Sequence, residues 1–161
     1  MSNDAKMKLD SLLTDAMNAE AEAMKFYMNA AEKAASNAGR SLFKELADFE
    51  QGHYERIKKI IESRNTGMVL KEITPSEEIL VKSEVEGQFE PNKDEIINVL
   101  SIGIEAEKKA REKYLEIAKV SEDEESKNMF NNIAEEERKH QSILENQFYS
   151  LSNTGKIIWG D

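Results

Sequence analysis

Cysteine is absent from all 161 residues. That excludes disulfides, thiolate metal sites, cysteine nucleophiles and an iron–sulfur centre held by these side chains. Breakers are scarce too, with two prolines and seven glycines. Long stretches can therefore run as helix, and a composition rich in Ala, Glu, Lys and Leu suits an all-α protein. No apolar run approaches a membrane span, and "MSNDAKMKLD" lacks the apolar region of a signal peptide. The expected compartment is the cytoplasm, with no membrane partner. Positive charge is the scarce sign: 22 Lys and Arg against 32 Asp and Glu give a net charge of −10. Phosphates would find little to neutralise them, which argues against a nucleic-acid surface. The length suits one domain with a real core.

What the chain does have is apolar spacing at the helical period, in four stretches. The first runs from about Asp4 to Ser36 with Leu9, Leu13, Ala16, Ala23, Met24, Tyr27 and Ala31 on one face. The second runs from about Ser41 to Arg64 with Leu42, Phe43, Leu46, Ala47, Tyr54, Ile57 and Ile61. "SNAGRS" separates them, its glycine read as a helix C-terminus. Asn92 is expected to cap the third, which carries Ile96, Leu100, Ile104, Ala110, Tyr114 and Ala118 to about Val120. Ser121 and Glu124 form a capping-box pattern opening the fourth, with Met129, Phe130, Ile133, Ala134, Leu144, Phe148 and Leu151.

Residues 65–91 break the period and hold both prolines, with a short helix expected at "SEEILVKSEV". The expected organisation is one domain over 1–151: a hairpin at 4–64, a crossover at 65–91 and a second hairpin at 92–151, with a tail at 152–161. Two tight hairpins joined by one long connection predict a ferritin-like four-helix bundle. The tail "GKIIWGD" is apolar enough to dock, so its tryptophan is expected to be at least partly buried.

The hairpins repeat at an offset of 87: His53 maps to His140, Glu50 to Glu137, Glu20 to Glu107, Tyr27 to Tyr114 and Phe43 to Phe130. "FEQGH" at 49–53 and "EERKH" at 136–140 hold the chain's only two histidines, each with Glu at i−3. With 25 glutamates in the chain, that pairing alone would arise by chance roughly one time in forty. Inward phase removes much of that ambiguity. Glu20 falls four after Ala16 and seven before Tyr27, and Glu50 falls four after Leu46 and seven before Ile57. Glu107 and Glu137 take the matching places, and each histidine follows its glutamate by nearly one turn on the same face. Four carboxylates in an apolar core are strongly unfavourable without cations. Carboxylate and imidazole donors suit Fe, Mn or Zn, and the lack of thiolate leans toward octahedral, redox-active metals. The expected metal ligands, and the candidate catalytic residues, are therefore Glu20, Glu50, His53, Glu107, Glu137 and His140. Tyr27 and Tyr114 are expected to hydrogen-bond a ligand carboxylate of the opposite hairpin. Glu105, Glu112, Glu135 and Glu136 fall off the inward phase and read as solvated, while Met7, Met17, Met24, Met28 and Met129 read as packing.

The order Glu…Glu-x-x-His…Glu…Glu-x-x-His across two hairpins resembles the ferritin-like di-iron carboxylate proteins. The paired "E-x-x-A-x-x-x-Y" neighbourhoods, 20–27 and 107–114, resemble most the rubrerythrin branch. The resemblance implies two iron ions per chain, with manganese or zinc as alternatives, and reduction of hydrogen peroxide or dioxygen in an oxidative-stress role. It implies that Glu50 and Glu137 bridge, that His53 and His140 each bind one metal, and that the chain pairs as a homodimer. Rubrerythrins typically add a four-cysteine rubredoxin domain, so electrons are expected here from a separate donor protein. They also carry a further glutamate three residues after the third-helix ligand, where this sequence has Ala110. The alternative function is iron binding linked to ferroxidase storage, without turnover.

Overall fold

The computed structural model describes residues 2–66 and 86–160. Four long helices make up nearly all of it: α1 (Asn3–Lys33), α2 (Asn37–Thr66), α3 (Lys93–Val120) and α4 (Glu124–Thr154). A helix of 31 residues such as α1 is about 46 Å long at 1.5 Å per residue. The pairs α1·α2 and α3·α4 form hairpins, and α1 packs on α3 across them, which is the ferritin-like bundle. Two-residue strands β1 (Gln88–Phe89) and β2 (Lys156–Ile157) pair antiparallel, tying the approach to α3 to the tail. The segment expected as a short helix lies outside the described residues. Among those described, no helix is long and apolar enough to cross a membrane.

Two apolar clusters build the core. One gathers Tyr27, Phe43, Leu46, Leu100, Leu144 and Trp159 at one end of the bundle. The other gathers Leu13, Ile57, Tyr114, Ile117, Phe130 and Ile133. Between them in sequence position on every helix falls a buried polar residue or pair: Glu20, Glu50 with His53, Glu107, and Glu137 with His140. The tail docks as expected, with Ile157 and Trp159 buried and the indole N–H donating to Glu45. Gln147 holds the tail's backbone at Ile158 from both sides, at 2.7 and 2.8 Å.

Helix ends depart from the expected boundaries for local reasons. α1 stops at Lys33 and α2 starts at Asn37, so Gly39 lies in the first turn of α2 and terminates nothing. The cause is Glu90, fully buried, whose carboxylate accepts from Ala35 N (3.0 Å), Ser36 N (3.1 Å), the Ser36 hydroxyl (2.8 Å) and Asn92 N (2.9 Å). The Ser36 hydroxyl in turn accepts from Gly39 N at 2.9 Å, capping α2. A Cβ at Gly39 would sit 2.9 Å from a Glu90 oxygen and 2.9 Å from Ser36 Oγ, so the glycine serves close approach. Asn92 occupies the cap position of α3 without a side-chain cap bond; its amide donates to Lys33 O and Glu95 instead. The cap of α4 is Asp123, which accepts from Ser126 N at 2.9 Å, while Ser121 closes α3 by bonding Ile117 O. α4 runs to Thr154 and ends on Gly155 in the left-handed region (φ 74°), as a helix C-terminus favours.

Candidate metal centre

All six residues singled out by phase and repeat converge. Glu20, Glu50, His53 and Glu137 present ligand atoms within 4.8 Å of one another, and so do Glu50, Glu107, Glu137 and His140. Glu50 and Glu137 belong to both sets. Every member is buried, at most 3% exposed. Each helix supplies its share from mid-length, so the bundle fixes the cluster from all four sides.

The geometry is nearly two-fold. His53 Nδ1 lies 2.8 Å from Glu137 Oε1 and 3.4 Å from Glu20. His140 Nδ1 lies 3.0 Å from Glu50 Oε1 and 3.7 Å from Glu107. The imidazoles stack nearly parallel, centroids 5.9 Å apart. Both tyrosines reach the opposite hairpin as expected: Tyr27 donates to Glu107 at 2.6 Å and Tyr114 donates to Glu20. Burial together with the Glu107 and Glu50 charges holds the Tyr27 phenol well above its ordinary range, and burial together with Glu20 and Glu137 does so for Tyr114. Both therefore remain donors at neutral pH.

Without cations, such a nest must collect protons. Burial, then the neighbouring Glu50, drives Glu20 well above the usual carboxylate range; burial, then Glu107, does the same to Glu137. Burial pushes Glu50 up as well, but hydrogen bonding with Glu20, His140 and His53 outweighs it and holds Glu50 well below. For the imidazoles burial acts downward and the carboxylates overcome it. Glu137 and Glu136 raise His53 well above its ordinary value, and Glu107 and Glu50 raise His140 to about 9.

The residues fit a metal on a second count. Among the described residues, the buried side-chain polar atoms lacking a hydrogen bond are Glu20 Oε2, His53 Nδ1, Glu107 Oε2, Glu137 Oε1 and Arg64 Nη2. Four of those five lie in the cluster. His53 Nδ1 and Glu137 Oε1 come within 2.8 Å without hydrogen-bond geometry, as two lone-pair donors aimed at a shared cation would. Buried orphans of this kind each cost about 1–3 kcal/mol unless something satisfies them.

One expected spectator proves otherwise. Glu136 is only half-buried by position, yet its Oε2 lies 2.5 Å from His53 Nε2 and 2.8 Å from Arg56 Nη2. Its direction is set by α2, the helix it faces, which helical phase on α4 alone does not show. Glu105, Glu112 and Glu135 are exposed as expected. Met17, Met24 and Met129 are half-buried, whereas Met7 and Met28 point outward at 69% and 49% exposure and pack little.

A cavity of about 390 Å³ opens between α1 and α3 onto the carboxylates. Ala16, Ala23, Ala106 and Ala110 line it, small side chains that leave this space unfilled. α3 is helical without interruption from Lys93 to Val120, so no bulge shifts another side chain into the place of Ala110.

The rubrerythrin family model matches residues 11–148. Among solved structures, a hypothetical protein from Pyrococcus furiosus is similar at a TM-score of 0.71 and 27% identity, with 90% of each chain covered. Comparison with curated proteins gave no match.

Proposed function

The chain belongs to the rubrerythrin family, and on that premise we propose that it is a di-iron carboxylate protein reducing hydrogen peroxide or dioxygen. The observation that carries this is the paired set of six buried ligands sharing Glu50 and Glu137. Glu20 and His53 would hold one ion, Glu107 and His140 the other, and the shared glutamates both. Iron, once bound, supplies two electrons and Lewis-acid stabilisation of developing oxide charge; manganese would serve the same donors.

The chain's own residues do the rest. Tyr27 and Tyr114 hold Glu107 and Glu20 each in one orientation, fixing the outer carboxylates from across the bundle. The alanine-lined opening admits a small oxidant to the face of the cluster between α1 and α3. The apolar layers on either side exclude bulk water and stray reductants. The reading includes a separate electron-donor protein, a homodimer and a cytoplasmic, oxidative-stress setting.

Rapid mixing of the reduced, iron-loaded protein with peroxide tests the proposal by absorbance. Oxidation should be fast and repeat when reductant is resupplied; Glu137→Ala should abolish it while far-UV circular dichroism stays helical. The uninterrupted α3 with alanine at position 110 favours one second reading, iron uptake by a symmetric site linked to storage. That reading predicts one slow oxidation and no turnover with excess peroxide.

A further inference from the structure

The 87-residue repeat is kept so closely around the cluster that its breaks are informative. Tyr27–Glu107 is answered by Tyr114–Glu20. The Tyr27–Phe43 stack, at 6.4 Å, is answered by Tyr114–Phe130 at 6.4 Å. His53 Nδ1 to Glu137, at 2.8 Å, is answered by His140 Nδ1 to Glu50 at 3.0 Å. Behind the imidazoles the correspondence fails. His53 is backed by Glu136, itself tied to Arg56 at 2.8 Å. The position matching Glu136 is Phe49, whose ring meets His140 at 5.4 Å and 80°. The position matching Arg56 is Ile143, a buried hydrocarbon.

We propose that Glu136 makes the two metal positions unequal: the His53 position binds a divalent metal more tightly and fills first, and the His140 position fills second and empties first. This rests on the reading that the six ligands hold two ions. A carboxylate accepting Nε2–H fixes the tautomer that leaves the Nδ1 lone pair facing the nest, and it makes the imidazole a stronger donor. Arg56 keeps that carboxylate in place. The Phe49 ring beside His140 offers no carboxylate to accept such a bond. The carboxylate ligands are matched between the two positions: Glu50 and Glu137 serve both, and Glu20 and Glu107 each receive one tyrosine hydroxyl. Glu136 is thus a positioning residue, acting through His53.

Calorimetric titration of the metal-free protein with Co(II) tests this, with the cobalt absorption band read at each addition. Wild type should take up two ions in steps separated by about 10–100-fold in affinity, the usual effect of such a partner. His53→Ala should remove the tight step and His140→Ala the weak one. Glu136→Leu should bring the steps together, Glu136→Gln should do so only in part, and Phe49→Glu with Ile143→Arg should tighten the weak step. Two ions of equal affinity in wild type, or loss of the tight step in His140→Ala, would overturn the inference while leaving the two-metal reading intact. Uptake of fewer than two ions by wild type would instead overturn that reading. Steps that stay separated in a folded Glu136→Leu would likewise overturn the inference, and misfolding of the double graft leaves the test standing.

Discussion

Raising the pH of the metal-free protein should weaken the fold, and the direction follows from the imidazoles. His140 carries a folded-state pKa of about 9 against an ordinary 6.5. The folded chain therefore keeps a proton that the unfolded chain releases in that window. The resulting stabilisation is complete below pH 6.5 and is lost as pH climbs through 9. At about 1.4 kcal/mol per pH unit, the 6.5-to-9 interval is worth roughly 3 kcal/mol. His53, raised in the same direction, adds to it, as do Glu20 and Glu137 wherever their raised values reach into the window. Glu50, held low, stays ionised throughout and leaves the slope unchanged. Urea unfolding of chelated protein at the two ends of the window, followed by circular dichroism, reads the difference. The account expects a drop of about 3 kcal/mol or more, shifting the melting point by roughly 6–12 °C, and a much flatter profile for His53→Ala/His140→Ala. Chelated wild type whose stability is level or rises from pH 6.5 to 9 would refute the reasoning.

Glu90→Ala leaves three backbone amides and the Ser36 hydroxyl without their acceptor, so it should cost about 3–5 kcal/mol, measured by denaturant unfolding; a loss under about 1 kcal/mol would contradict the role given to it. Tyr27→Phe should keep the fold, cost about 1–3 kcal/mol and weaken metal retention chiefly at the His140 position, because Glu107 loses its hydroxyl donor; unchanged retention would show that the phenol only packs.

The helices and the convergence of the six buried residues were legible in the sequence because both depend on phase. A residue four after one apolar contact and seven before another has only one way to point, and Glu20 and Glu50 satisfy that condition on separate helices. The cross-hairpin tyrosines were legible because a fixed offset forces pairs to answer each other. Glu90 was not, since its partners lie on the α1–α2 turn 54 and 55 residues away and its own segment has no period. The helix boundaries it sets were missed with it. Glu136 was hidden by standing next to an inward ligand, half-turned toward α2. One signal could have found it: the offset pairs Glu136 with Phe49 and Arg56 with Ile143, so the departure from the repeat was already written there.

The most direct test of the central claim is metal content per chain after anaerobic loading with ferrous iron and desalting. Wild type should retain two irons and His53→Ala/His140→Ala should lose them, because the account has the six buried residues hold two ions together. Near-zero retention by wild type would contradict the di-iron account.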